Sequence, residues 1–226
     1  MYWPAVYAFL RHHGYSVADA EDLTQDFICC LIRRKSFSHA DRSKGRFRSY
    51  LLGALKHFLA DHGRHTRTWR RGGRAETISL EVLRGESGYA SLTSPELTPD
   101  QVFDREWTWL LLERALIVLR NECAEFGHAE RFEALKGYLV RRLDPGEVEA
   151  LASKLHVKTG TPAVLLHRLR RRLQQLVRGE VCRTVASPMV VKTEMDDLFG
   201  PKSCEAAKLN PEGRSVMSTR LARRRD

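Results

Sequence analysis

The chain has 226 residues, of which 42% are hydrophobic and 29% are charged, and 38 basic against 28 acidic side chains give it a formal net charge of +10. This length suits one large folded domain or two small ones. The longest apolar runs, residues 5–10 and 27–32, are far shorter than the ~20 residues of a membrane span. The first residues have no basic segment followed by an apolar stretch and a cleavage site, so we expect a cytoplasmic protein without membrane association.

The charge is unevenly distributed, at +8 for residues 1–74, −5 for 75–106, +5 for 107–186 and +2 for 187–226. The acidic segment contains a run rich in Ser, Thr, Pro and Gly with little helical periodicity, which is typical of a linker. Elsewhere the hydrophobic period is helical, and no segment convincingly alternates as a strand does. The sequence therefore predicts an all-α protein with two small helical domains, a flexible linker at 75–106 and a partly disordered tail at 187–226. Within the tail, one more amphipathic helix is predicted at 189–199.

The first strongly amphipathic helix is predicted after Ser16, which suits an N-cap. Its apolar stripe consists of Ala20, Leu23, Phe27, Cys30 and Leu31, and its other face carries Asp19, Glu21, Asp22, Gln25 and Asp26. DNA repels such an acidic face, so we expect it either to bind a protein partner or to be simply solvated.

A second helix is predicted over residues 47–62, ending or loosening at Gly63. Basic and ring side chains follow closely with no acid among them: His62, Arg64, His65, Arg67, Trp69, Arg70, Arg71 and Arg74. Unpaired arginines in one run repel one another, and a polyanion such as nucleic acid would relieve that repulsion.

After the linker, residues 107–122 predict a helix that is apolar on almost every side. Asp144, Pro145 and Glu147 form a helix-start signal, and a short turn at 156–160 leads to a last long helix with Thr161 as its cap and Pro162 as its first residue. That helix has a predicted stripe of leucines and several arginines on its other faces: Leu165, Leu169, Leu173 and Leu176, with Arg168, Arg170, Arg171 and Arg172. The shape is that of a helix-turn-helix, although many helical hairpins share it.

Several segments together resemble the RNA polymerase sigma-70 family, in particular its small extracytoplasmic-function type. Asp19-Ala20-Glu21-Asp22-Leu23-Thr24-Gln25-Asp26-Phe27 resembles the region-two signature, and Gly45-Arg46-Phe47-Arg48-Ser49-Tyr50-Leu51 with the residues 55–61 resembles the part that melts and reads the minus-ten element. His167-Arg168-Leu169-Arg170-Arg171-Arg172 resembles the end of the region-four recognition helix. The two groups of motifs occur in the family's order, across a linker of the family's kind.

The resemblance implies region two at 1–74, region four at 107–186, and a promoter-specificity subunit that is not an enzyme. Core RNA polymerase would be bound by Asp19, Asp22, Gln25 and Asp26, and the minus-ten element by Lys56, His57, His62, Arg64, Arg67 and Trp69. The minus-thirty-five element would be read by Lys158, Thr159, Thr161, His167, Arg168 and Arg171. Partners would be core polymerase, promoter DNA and an anti-sigma factor, with no metal and no cofactor.

Some residues depart from the family pattern. His57 stands where asparagine is usual, His156 where the turn usually has glycine, and Tyr2-Trp3-Pro4 falls inside the family's first helix. The alternative function is a DNA-binding regulator, or a degenerate relative, that keeps the helix-turn-helix but no longer programs polymerase. A hydrolase or nuclease is disfavoured because the sequence has no His-Glu-x-x-His, Gly-x-Ser-x-Gly or phosphate-loop motif.

Five cysteines with one adjacent pair and no Cys-x-x-Cys spacing give no pattern for disulfides or a zinc knuckle. We expect reduced thiols, mostly in the core.

Overall fold

The computed structural model describes residues 2–33, 45–69, 97–139, 141 and 144–200, without the side chains of 65–69 and Pro145. These residues form eight α-helices: α1 Trp3–His12, α2 Val17–Arg33, α3 Phe47–Trp69, α4 Pro99–Glu125, α5 Ala129–Leu135, α6 Pro145–Lys154, α7 Thr161–Cys182 and α8 Pro188–Phe199. A 3-10 turn, Lys136–Tyr138, follows α5. No strand occurs in the part of the chain that is described, which confirms the all-α prediction.

The chain forms two compact units, one of residues 1–110 with 184–226 and one of 111–183. Two predicted boundaries therefore differ from the structure. Residues 99–106, predicted as linker, begin α4, because Val102 and Phe103 place apolar side chains in the core of the first unit. Residues 188–199 form α8, close to the amphipathic helix predicted at 189–199, but this helix belongs to the first unit and not to a separate tail, with Val191 and Leu198 buried. Residues 75–96 of the predicted linker and 201–226 of the predicted tail lie outside the described residues.

Local signals set several helix starts. The Ser16 hydroxyl accepts the backbone N–H of Asp19 at 3.1 Å, as the predicted N-cap should. At the start of α6 the Glu147 carboxylate accepts the backbone N–H of Asp144 at 3.1 Å, which is the returning half of a capping box. Of the two predicted alternatives at Gly63, an end of the helix is wrong, because α3 continues through Gly63 to Trp69. One glycine costs a helix only ~1 kcal/mol, which the flanking turns can absorb.

The core of the first unit combines apolar stripes from α1, α2, α3, α4 and α8. Its buried side chains are Ala5, Val6, Tyr7, Ala8, Phe9, Leu10, Ala20, Leu23, Phe27, Leu31, Leu51, Leu55, Val102, Phe103, Trp107, Val185, Val191 and Leu198. The Tyr2 ring stacks on Trp107 with centroids 4.8 Å apart, and Phe47 lies 5.1 Å from Tyr2. Phe47 is thus part of the aromatic packing, as its helical spacing indicates.

A buried ionic network joins the start of α3 to α4 and α8. The Glu194 carboxylate, with 1% of its side chain exposed, accepts Arg48 Nε at 2.9 Å and lies 2.9 Å from Arg46 Nη1. Asp104 pairs with Arg48, and Asp197 pairs with Arg46. Two guanidiniums therefore meet three carboxylates, which is the pairing that buried charges require.

Backbone bonding adds to this contact. The N–H of Phe47, the first residue of α3, donates to the Thr184 carbonyl at 2.9 Å. This acceptor satisfies one of the N–H groups that a helix start leaves without an intrahelical partner. Residues 184–199 therefore complete the first unit at the N-terminal end of α3.

In the second unit, the later part of α4 packs with α5, α6 and α7 around buried leucines. The buried face of α7 contains Pro162, Leu166, Leu173, Val177 and Val181. The predicted stripe is correct for Leu173 but wrong in its phase, because Leu165, Leu169 and Leu176 are only half-buried. The true stripe places α7 residues 164, 168 and 171 on the side away from the core.

The turn between α6 and α7 is closed by two backbone hydrogen bonds. Val157 N–H donates to Ala152 O at 3.0 Å and His156 N–H donates to Ser153 O at 3.2 Å, which is the pattern of a Schellman motif. His156 has a φ of +51°, so it occupies the left-handed position that usually takes glycine. The helix α7 then begins at Thr161 with Gly160 as its N-cap, one residue before the predicted cap.

The expectation of core thiols is wrong for the four described cysteines. All four are free, Cys29 and Cys182 are exposed, and Cys30 and Cys123 are half-buried. Cys29 lies outside the buried stripe of α2, which contains Ala20, Leu23, Thr24, Phe27 and Leu31. Cys204 lies outside the described residues.

Candidate functional site

The acidic face of α2 is the first candidate site. Asp19, Asp22, Gln25 and Asp26 are all exposed, while Leu23, Phe27 and Leu31 bury the opposite face. Asp19 is held by the Ser16 hydroxyl, which donates to its carboxylate at 2.7 Å. Asp22 and Asp26 are one helical turn apart and form no ion pair with any residue that the structure describes. We refer to Asp19, Asp22, Gln25 and Asp26 as the acidic face.

The structure separates the predicted minus-ten residues of α3 into different environments. His57 and Arg64 are exposed, and their spacing of seven residues places them on one side of the helix. Lys56 is exposed and pairs with Asp100 at 2.6 Å, so its charge is partly balanced within the unit. His62 is half-buried and its ring stacks on Phe58 with centroids 6.3 Å apart, a packing role that the sequence did not predict.

The C-terminal end of the predicted minus-ten surface is only partly described. The α3 backbone is helical through Arg67 and Trp69, but their side chains, and that of His65, are outside the description. The following arginines, Arg70, Arg71 and Arg74, lie in the undescribed segment. Arg64 pairs with Asp61 on the previous turn, and exposed pairs of this kind contribute little energy, so a phosphate can compete for the guanidinium.

The outward face of α7 is the second candidate site. Val164, His167, Arg168 and Arg171 are exposed on the side opposite to Leu166 and its neighbours. Lys158 and Thr159 are exposed in the turn that precedes the helix, whereas Thr161 is half-buried at its first position. The second unit thus brings together five of the six predicted minus-thirty-five residues as accessible side chains: Lys158, Thr159, His167, Arg168 and Arg171.

Two other arginines of α7 have structural roles. Arg170 donates to the Tyr138 carbonyl at 2.7 Å and the Leu139 carbonyl at 3.2 Å, and it also donates to the Arg141 carbonyl. Arg172 donates to both oxygens of Glu122, at 2.6 and 2.9 Å, and this pairing lowers the pKa of Glu122. The basic run of α7 therefore divides into arginines that hold the unit together and arginines that face outward.

A comparison with protein families connects the first unit to known proteins. Residues 1–70 match the family described as sigma-70 region 2. The matched region 2 segment contains α1, α2 and α3, and with them the acidic face and the described basic residues of α3. The match relates residues 1–70 to region 2 of the RNA polymerase sigma-70 family, a family of transcription initiation factors. Comparisons with curated proteins and with solved structures gave no match.

No helix in the described part of the chain has the length and apolar character that a membrane span requires. No group of three or more His, Cys, Asp or Glu side chains is placed there to hold a metal ion.

Proposed function

We propose that this chain is a sigma factor of the extracytoplasmic-function type, which binds core RNA polymerase and directs promoter recognition and transcription initiation in the cytoplasm. The observation that carries the proposal is the coincidence of the region 2 match with an exposed acidic face on α2. A unit that only bound DNA would gain nothing from three exposed aspartates beside a basic helix, because DNA repels them. A basic surface on the polymerase would be attracted to them.

In this proposal the two units have different tasks. The acidic face docks on the polymerase, and α3 uses Lys56, His57, His62, Arg64, Arg67 and Trp69 to melt and hold the minus-ten element. Holding bases outside the duplex requires stacking and edge contacts beside a positive track, which ring, amide and guanidinium groups provide. The outward face of α7 enters the major groove of the minus-thirty-five element, with Lys158, Thr159 and Thr161 at its start and His167, Arg168 and Arg171 further along.

Binding to core polymerase by the purified full chain tests the proposal. We expect the Asp22→Lys, Asp26→Lys double variant to lose at least about tenfold in polymerase affinity, because two attractive charges become repulsive. The matched control is Glu125→Lys with Glu130→Lys, which makes the same change in net charge at exposed acids outside α2. Equal affinity of both double variants for polymerase would contradict docking through the acidic face.

The alternative, a DNA-binding regulator or a degenerate relative that does not program polymerase, is favoured only by the helix-turn-helix shape of α6 and α7. It predicts that the wild-type chain binds duplex DNA and shows no binding to core polymerase. An anti-sigma factor is a further proposed partner of this chain.

A further inference from the structure

The outward face of α7 contains one large apolar side chain. Val164 is 51% exposed and lies opposite the buried stripe that includes Leu166, Leu173 and Val177. It is the fourth residue of the helix, so it lies in the N-terminal part, the end that a recognition helix directs toward base edges. Its neighbour Ala163 is also exposed but has only a methyl group to offer.

The surroundings of Val164 are strongly basic. Arg168 and Arg171 follow it at spacings of four and seven residues, which places all three on one side of the helix, and His167 is adjacent. The single acid of α7 is Glu180, near the far end, where it is buried and paired with Arg114 and Arg183. An exposed apolar side chain thus lies at the N-terminal end of a face whose charge suits a polyanion.

Duplex DNA offers one apolar group in its major groove, the C5 methyl of thymine. We propose that Val164 contacts a thymine methyl in the upstream promoter element and so determines specificity at one base pair. This inference rests on the proposed function. Arg168 and Arg171 lie further along the same side and hold phosphates, which orient the helix but carry no sequence information. Lys158 and Thr159, before the helix, contribute polar contacts to the neighbouring bases.

The test uses the full chain bound to core RNA polymerase. A random duplex library first yields the bound upstream sequence, and each thymine in it is then replaced singly by uracil, which removes only the methyl group. We expect one such replacement to weaken binding by about three- to fivefold, the effect of burying roughly one methyl group. In Val164→Ala we expect weaker binding to the thymine duplex and no further loss on the uracil duplex.

The matched control is Val118→Ala, which removes the same atoms from an exposed valine on α4 of the same unit. It should keep the full uracil effect. A Val164→Ala variant that still shows the wild-type loss with uracil would overturn the assignment of Val164, even though sequence-specific binding persists. Failure of the wild-type complex to enrich any upstream sequence would instead overturn the proposed function, and the assignment of Val164 with it.

Discussion

Replacing Glu194 by glutamine tests how the first unit is held together. The substitution keeps the size of the side chain and removes its charge. Glu194 has 1% of its side chain exposed and contacts both Arg46 and Arg48, each at 2.9 Å. Burial lowers the pKa of Arg48, but its hydrogen bonds and charge attraction to Glu194 and Asp104 outweigh burial and leave that pKa raised. The guanidinium of Arg48 therefore stays charged and needs its carboxylates.

The expected loss in the free energy of unfolding depends on which ion pairs remain after the substitution. Breaking a buried ion pair by removing one partner costs roughly 3–5 kcal/mol, because the other charge is left buried and uncompensated. Here Asp104 still pairs with Arg48, and Asp197 still pairs with Arg46. Both arginines keep one carboxylate, so we expect Glu194→Gln to lower the free energy of unfolding of the first unit by about 2–3 kcal/mol.

Tryptophan fluorescence during urea unfolding follows the first unit. All four tryptophans, residues 3, 69, 107 and 109, lie within residues 1–110, so their signal reports chiefly on this unit. The matched control is Asp197→Asn, which removes a charge from the same network at a side chain that is 47% exposed. An exposed pair contributes only about 0–1 kcal/mol, so this control should unfold almost as the wild type does.

The two variants are compared by the urea concentration at which each of them unfolds. If Glu194→Gln unfolds at the same urea concentration as Asp197→Asn, then α8 does not stabilise the first unit through its buried carboxylate. That result would refute the reasoning that residues 184–199 are an integral part of this unit. A larger loss in Glu194→Gln alone supports it.

Three further predictions concern the second unit. Replacing Arg168 and Arg171 by alanine should weaken binding to the upstream element and reduce the slope of log affinity against log salt by about one per lost phosphate contact; an unchanged slope would mean that neither side chain meets DNA. His156→Gly should stabilise α6 by about 0.5–1 kcal/mol and so slow its amide hydrogen exchange. The reason is that relief of roughly 1–2 kcal/mol of left-handed strain exceeds the cost of the added backbone entropy. His156→Ala, which keeps a Cβ, should give no such gain. The hydrogen bond from Arg141 holds the pKa of Glu147 below the ordinary glutamate value of 4.5. The Glu147 carboxylate therefore stabilises α6 fully above that value, and this contribution is lost as the pH falls through the lowered pKa. Glu147→Gln should make the hydrogen exchange of α6 less dependent on pH in that range, and an unaltered pH profile would contradict this.

Local sequence signals predicted most of the helices. The stripe of α2 and its acidic face follow from a period that any amphipathic helix must have, and Ser16 and Glu147 act through backbone groups within three residues. His156 is a similar case, since a turn of this shape requires one left-handed residue whatever its side chain. Such features depend on neighbours along the chain, and the sequence displays those neighbours directly.

Contacts between distant residues decided the remaining features. Arg168 and Arg170 are the same residue type two positions apart, yet Arg170 is held by carbonyls near residue 139 and Arg168 faces outward. His62 is one of the predicted minus-ten residues, and its ring also packs against that of Phe58 one turn away, a contact that the sequence did not predict.

The assignment of segments to domains also depends on distant contacts. Composition indicated a linker at 99–106, and the helix predicted at 189–199 was assigned to a tail, but each segment joins the first unit because it supplies a group that is missing there. Phe103 fills apolar space in the core, and Glu194 supplies charge for Arg46 and Arg48. The sequence determined by itself where the helices form and which charges they carry. Only the tertiary structure decided which charges are neutralised within the fold and which remain for a partner, because pairing depends on distances across the fold that local periodicity does not encode.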